Sequence, residues 1–273
     1  MINRLGKVWR GFGTGLFLAL IGGVGSLMAL TLFPLLCLSS RCRVTRQRRF
    51  QYALKLAFKL YCAGIRLSGT AGITLIGAEK LKDLRGVLVV ANHPSLLDVV
   101  LIMSAIPRAQ CIVKAALWNH PFFRFTVRGA DYIRNDLEPE ALLEACKTTL
   151  AAGNNLIVFP EGTRTIPGRP RKLTRGFANI AILAQTDIQL VTITCDPPIL
   201  HKDGTWWNVP EQRPRFVMEV GERLDIQHFL RYRSRPLAAR ELVAFIDDYF
   251  TEKLSDDRPG DGPETPHHIL AEA

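Results

Sequence analysis

Two short runs in this sequence hold residue types that can move a proton and grip an anion. The first is Asn92-His93-Pro94-Ser95-Leu96-Leu97-Asp98. A histidine before a proline is biased towards extended backbone, and the proline suits a first helical turn. The spacing therefore predicts that His93 ends a strand and that Asp98 lies about one turn into a helix over residues 95–105. From there the carboxylate reaches back to the imidazole, fixes its tautomer and stabilises the imidazolium. Such a histidine is a general base suited to neutral pH, able to take the proton of a hydroxyl as its oxygen attacks an electrophile. The same spacing also fits a structural His–Asp contact or a helix cap.

The second run is Phe159-Pro160-Glu161-Gly162-Thr163-Arg164. It too follows a short apolar run, so it belongs on the same sheet edge as His93. Arg164, with backbone N–H groups around Gly162, suits a phosphate. Glu161 can hold the loop by pairing with Arg164 or can accept from a substrate hydroxyl. Lys172 and Arg175 follow in the basic segment from Arg169 to Arg175; Arg169, Arg171 and Lys172 taken singly read as a solvated loop.

Other chemistries find less support. No G-x-S-x-G occurs, as an activated serine hydrolase would want. The six cysteines, Cys37, Cys42, Cys62, Cys111, Cys146 and Cys195, are irregularly spaced without a CxxC, which fits neither a disulfide framework nor a zinc site. They read as small buried or membrane-facing residues in a reducing compartment. No metal cluster is offered, and His267 and His268 lie in the polar tail.

The elements that must position these runs are legible from about Ile73 onward. Residues 87–91 form a buried strand by length and β-branching. Further strands are expected at 111–113, 131–134, 156–159, 190–194 and 216–220, and helices at 138–152, 176–184 and 237–254. The alternation predicts an α/β fold with a mixed, mostly parallel sheet flanked by helices. Residues 69–254 would be the catalytic domain, and 255–273, polar with Pro and Gly, reads as a disordered tail.

The N-terminal 68 residues differ in kind. Residues 1–78 contain no acid but eleven bases, from Arg4 to Arg66, in a chain of net charge +10. The whole excess thus flanks an apolar segment, which favours anionic lipid head groups over nucleic acid. Gly11 to Ser40 carries no charge across thirty residues. As one helix it would be roughly 45 Å long against a hydrocarbon core of roughly 30 Å. It can span with a tilt, or bend at Gly22, Gly23, Gly25 and Ser26, with Pro34 near its end, into a re-entrant hairpin. Bases on both flanks leave the positive-inside rule undecided. A cleaved signal peptide fits poorly, because the apolar stretch is too long and lacks a clear small-x-small site. Residues 46–66 read as a basic amphipathic helix through Phe50, Leu54, Phe58, Tyr61 and Ile65, lying in a membrane interface, packing on the domain, or both.

NHPSLLD, followed 63 residues after Asp98 by EGTR, resembles the glycerolipid acyltransferase superfamily, the 1-acylglycerol-3-phosphate acyltransferases in particular. The stretch from Lys114 to Arg134, with Leu117, Pro121, Phe122, Phe123, Gly129, Tyr132 and Ile133, is similar to the family's second motif. Val191-Thr192-Ile193-Thr194 resembles its fourth, and the likeness covers roughly residues 75–225 in order. The resemblance implies a membrane-bound O-acyltransferase in which His93, oriented by Asp98, deprotonates a lysophosphatidic-acid-like acceptor. The alkoxide would attack a thioester of coenzyme A or acyl carrier protein, giving a phosphatidic-acid-like product with no covalent enzyme intermediate, metal or cofactor. Glu161, Gly162, Thr163 and Arg164 would bind the acceptor phosphate, with Lys114, Arg134 and Arg175 as further substrate-binding residues. The partners implied are the lipid bilayer, the lysophospholipid acceptor and the thioester donor, without nucleic acid. The site would face the cytoplasmic side of an inner membrane, where thioesters are made.

The departures from the family pattern fall in the second motif. Ala116 stands where the family has an acid, Arg124 where it has a glycine, and Arg134-Asn135 where it has Asp-Arg. The stretch from Pro121 to Gly129 is also about two residues shorter than usual for the family. Arg134 can supply the displaced positive charge, with Asp136 to pair with it. These changes keep a different lipid or specialised alcohol acceptor in view. A catalytically inactive lipid-binding protein is the reading of another class, and an intact His/Asp pair argues against it.

Overall fold

Short β-branched runs separated by helices leave little choice but a sheet covered on both faces. The computed structural model describes residues 2–120 and 123–256. Its strands are β1 (Gly72–Ile76), β2 (Leu88–Ala91), β3 (Ala109–Val113), β4 (Ile133–Arg134), β5 (Asn155–Val158), β6 (Ile188–Asp196) and β7 (Arg215–Leu224). They form one sheet in the order β1-β7-β6-β2-β5-β3-β4. β6, β2, β5, β3 and β4 run parallel to one another, β7 is antiparallel to β6, and β1 is parallel to β7. The expected mixed, mostly parallel architecture is what the chain adopts.

The helices are α1 (Ile2–Ser39), α2 (Arg43–Leu67), α3 (Asp98–Ala105), α4 (Ala115–Trp118), α5 (Arg124–Gly129), α6 (Pro139–Ala151), α7 (Gly176–Ala184), α8 (Gln227–Leu230) and α9 (Arg235–Asp256). Central β2 is buried along its whole length. Val89 and Ala91 face the cluster built by α2 and α3, whereas Leu88 and Val90 face the one built by α6, α7 and α9. The alternation of strand side chains thus divides one run of apolar residues between two cores.

Several boundaries differ from expectation. β1 was not visible in the sequence pattern: it is an edge strand whose last three residues are exposed, so no hydrophobic periodicity marks it. The segment 95–105 becomes helical only at Asp98, because Ser95 to Leu97 form a turn whose Ser95 N–H is given to the Asp98 carboxylate. Asp98 therefore opens α3 instead of lying one turn inside it. At the C-terminal end α9 runs on to Asp256, and the rest of the expected tail lies outside the described residues, as do Pro121 and Phe122.

The apolar N-terminal segment is one unbroken helix. Neither Gly22 to Ser26 nor Pro34 interrupts it, and the Ser26 hydroxyl bonds back to the Gly22 carbonyl at 2.8 Å. The re-entrant hairpin within residues 11–40 is not formed; the chain reverses at Ser40–Cys42, between α1 and α2. The two helices then run antiparallel. Trp9 Nε1 donates to the Ser68 carbonyl at 2.8 Å, Tyr61 Oη to the Phe17 carbonyl at 2.9 Å and Arg49 Nη1 to Ser39 Oγ at 2.9 Å. α2 buries Phe50, Gln51, Leu54, Cys62 and Ile65 against the domain while exposing Tyr52, Leu56 and Leu60. It is a packing helix with an outward apolar face of its own.

Candidate active site

β2 and β5 are adjacent and parallel, with Val90 opposite Val158. Continuing that register sets Phe159 beside Ala91 and Glu161 beside His93, so the two motifs leave the same sheet edge side by side. This is the carboxyl edge, where open α/β sheets keep their sites. The Asn92 side chain pins the first motif to β6 by giving a hydrogen bond to the Ile193 carbonyl and taking one from the Ile193 N–H, both at 2.7 Å.

His93 Nδ1 and Asp98 Oδ2 lie 2.8 Å apart. The same oxygen accepts the Ser95 N–H at 2.8 Å. The Asp98 side chain has no exposure and that of His93 has 16%. With the carboxylate accepting from Nδ1–H, the imidazole presents Nε2 as a lone pair, and Nε2 has no partner among the described residues. The imidazole lies flat on Phe159, centroids 4.0 Å apart. Burial pushes the Asp98 carboxyl up to about 6, and the bonds from His93 and Ser95 pull against that rise. Asp98 Oδ1 is buried without a hydrogen-bond partner.

Glu161 holds the second motif against the first. Its Oε1 accepts the His93 N–H at 3.0 Å, and its Oε2 accepts the Thr165 hydroxyl at 2.8 Å. The Thr165 N–H in turn reaches the His93 carbonyl at 2.7 Å. Both carboxylate oxygens are thus occupied, and the expected Glu161–Arg164 pair is not formed. Arg164 instead donates through Nη1 to the carbonyls of Leu200 and His201, at 2.7 and 3.2 Å. Gly162 sits at φ +67, the left-handed region that glycine tolerates, and a Cβ there would touch nothing within 4 Å. Backbone conformation, not space, asks for glycine at this turn.

The remaining candidates spread outward from this centre. Thr163 is exposed on the same turn as Gly162. Thr174 bonds the Pro160 carbonyl through both N–H and Oγ1, which brings the basic segment back and leaves Arg175 exposed just before α7. Arg171 is not a solvated base: it is tied to Asp247 of α9 at 3.2 Å and lies over the Phe250 ring. Lys114 and Arg134 close β3 and β4, two and three strands from β2, or roughly 10 and 14 Å. Lys114 is exposed. Arg134 is held by Asp136 through two hydrogen bonds and lies over the Trp118 ring at 6.0 Å. Asn135, at the altered position, accepts the Ala115 N–H at 3.0 Å and so caps the turn after β3.

Sequence reasoning missed Phe159, Thr165 and the carbonyls at 200–201. The first two had a signal, since they flank EGTR on the strand next to His93. The carbonyls had none, because only the fold brings them near.

Residues 72–196, β1 through β6, match the family model described as Acyltransferase. That stretch, which holds both motifs, is similar to the acyltransferase family. Its likeness is to the 1-acylglycerol-3-phosphate acyltransferase-like superfamily. It is 33% identical over 129 residues to a 1-acyl-sn-glycerol-3-phosphate acyltransferase of Cocos nucifera, and 35% identical over 99 residues to one of Helicobacter pylori. Those matches take in 45% and 34% of this chain, and 41% and 42% of the two relatives. The chain therefore spans less than half the length of these curated relatives. The crystal structure of the 1-acyl-sn-glycerophosphate (LPA) acyltransferase PlsC from Thermotoga maritima shares the fold, with a TM-score of 0.67 at 19% identity over 94% of this chain and 98% of that one.

Proposed function

We propose that this protein is a membrane-associated O-acyltransferase that moves a fatty acyl group from a thioester, of coenzyme A or acyl carrier protein, to the free hydroxyl of a lysophosphatidic-acid-like acceptor. The observation that carries the reading is the buried Asp98 held 2.8 Å from His93 Nδ1, with Nε2 free beside the EGTR turn. Nε2 takes the hydroxyl proton as the oxygen attacks the thioester carbonyl. Asp98 offsets the imidazolium charge that forms. The C–S bond breaks as the tetrahedral intermediate collapses, and the departing thiolate recovers the proton from Nε2. The exposed Thr163 and the remaining N–H groups of Arg164, whose Nη1 is held by the carbonyls at 200–201, suit the acceptor phosphate, with Arg175 close behind; the Gly162 N–H is already given to the Phe159 carbonyl. The names of the curated relatives support the same acceptor class.

One observation favours a second acceptor. The Arg134 charge at the edge of the sheet is already met by Asp136, so that side of the site offers a phosphate less than a free guanidinium would. The same chemistry on an uncharged lipid alcohol follows from that.

Membrane association rests on α1. Leu5–Leu36 is long and apolar enough to cross a bilayer. Its antiparallel packing on α2 and the exposed Leu16, Leu27, Leu30 and Leu35 support a lipid-facing helix pair.

The test uses purified protein in lipid nanodiscs with labelled acyl-coenzyme A or acyl carrier protein and lysophosphatidic acid. Phosphatidic acid should form with the wild type, and His93→Ala should lower the rate by a hundredfold to ten-thousandfold. Product confined to another lipid alcohol, still lost in His93→Ala, would replace the acceptor. Absence of any His93-dependent product would end the enzyme reading.

A further inference from the structure

The edge that carries His93 continues in both directions. Towards β5, β3 and β4 lie the Gly162 turn, Lys114 and Arg134, the last already paired with Asp136. On the opposite side, beyond β6, is a cleft of about 1420 Å³ between the start of α1, the end of α2 and the first residues of β1 and β7. Because β7 and β1 run opposite to β2, their first residues lie at its carboxyl edge. Arg10, Arg66, Arg213 and Arg215 line the cleft, against two carboxylates, Asp196 and Glu211.

The four arginines divide into two kinds. Arg10 and Arg213 are tied to the wall: Arg10 donates to the carbonyls of Pro210 and Glu211, and Arg213 to those of Ala71 at 2.8 Å and Arg66 at 3.2 Å. Arg66 and Arg215 are exposed and have no side-chain partner among the described residues. They belong to different elements, α2 and β7, and meet only because the fold closes there. Nothing in the acyl-transfer step uses them.

We propose that this cleft holds the phosphorylated nucleotide end of an acyl-coenzyme A donor, a site that rests on the acyl-transfer reading and assigns its donor. β7 and β1 stand two and three strands from β2, roughly 10 to 15 Å, a span the pantetheine arm covers. A 3′-phosphate and a pyrophosphate offer paired anionic oxygens that the planar guanidinium fork can grip two at a time. The cleft is recessed and large enough for a nucleotide. Donor and acceptor would then approach His93 from opposite sides, each with its own cations.

The experiment titrates the full-length protein in nanodiscs with coenzyme A and with dephospho-coenzyme A, comparing wild type with Arg66→Ala/Arg215→Ala. A charge-assisted hydrogen bond is worth about tenfold in affinity. The double variant should bind coenzyme A at least tenfold more weakly, and its kcat/KM for acyl-coenzyme A relative to acyl-pantetheine should fall by a similar factor. Equal coenzyme A affinity in the two proteins would overturn the proposal. So would unaltered coenzyme A binding with weakened binding to phosphatidylglycerol vesicles, which would assign the arginines to a lipid phosphate. If no thioester is consumed by the wild type, the acyl-transfer reading fails, and the coenzyme A titration still decides the cleft.

Discussion

At the scale of single residues, Asp98 is a fully buried carboxyl with one oxygen unpartnered among the described residues. A carboxylate without exposure, one of whose oxygens has no partner, is destabilising when ionised, and the fold tolerates it because His93 and Ser95 hold the other oxygen. Its pKa rises from 3.8 to about 6, with burial as the leading cause. A raised acid binds its proton more tightly when folded, so its stabilising contribution is full below 3.8 and is lost as pH rises through about 6. Asp98→Asn removes that titration. Relative to the Asn variant, the wild type should lose about 2 kcal/mol of stability between pH 4 and pH 7.5, read by chemical denaturation at each pH. Turnover should move the other way. The variant should lose between a hundredfold and ten-thousandfold at neutral pH, and wild-type activity should fall on the acid side of about 6 as the carboxylate protonates. A stability difference indifferent to pH would mean that Asp98 is not the buried charge described.

At the scale of elements, the motifs could be read from the sequence but the ties that align them could not. The His93–Asp98 contact and the placing of both motifs on one sheet edge are legible because Pro94 and the β-branched runs before each motif fix local geometry; the role of Glu161 as a brace on the His93 N–H is not. Edge strand β1 was not, since strand pairing alone makes it a strand, and α4 and α5 are too short to show a period. The partners of Arg171 and Arg164 are hidden from the sequence for one reason: they are Asp247 on α9 and carbonyls at 200–201, far away in sequence. Asn155 shows the same dependence on long-range contacts. At the start of β5 it is fully buried, donates to the carbonyls of Leu84 and Pro107 at 2.8 Å each, and accepts the Val87 N–H at 3.2 Å. It thus sets the entry of β2 and the loop before β3 in register with β5. Asn155→Ala would strand two buried backbone groups and one partly buried one and should cost roughly 3 kcal/mol, measured as a lower denaturation midpoint with an unaltered slope. A change below about 0.5 kcal/mol would mean that water replaces the amide without loss.

At the scale of the whole molecule, the outward apolar surface is not confined to α1 and α2. Trp206 and Trp207, in the segment after β6, are exposed and meet edge to face, with centroids 5.5 Å apart. A Cβ on Gly15 of α1 would stand 2.8 Å from the Trp206 ring, so this segment packs on the first half of that helix. Trp9 and Phe12 are exposed on the same half. Tryptophans beside a lipid-facing helix are the side chains that settle at head-group depth. The segment starts at His201, whose carbonyl, with that of Leu200, receives Arg164. The surface that would touch the bilayer is therefore joined by hydrogen bonds to the turn beside His93. Each exposed indole offers on the order of 100 Å² of apolar surface, at most about 2.5 kcal/mol if fully withdrawn from water. Trp206→Ala/Trp207→Ala should weaken binding to neutral vesicles at least tenfold in a flotation assay, because a neutral surface removes the contribution of the N-terminal arginines. Unaltered flotation would confine the membrane contact to the two N-terminal helices and make the tryptophan segment a packing element of α1.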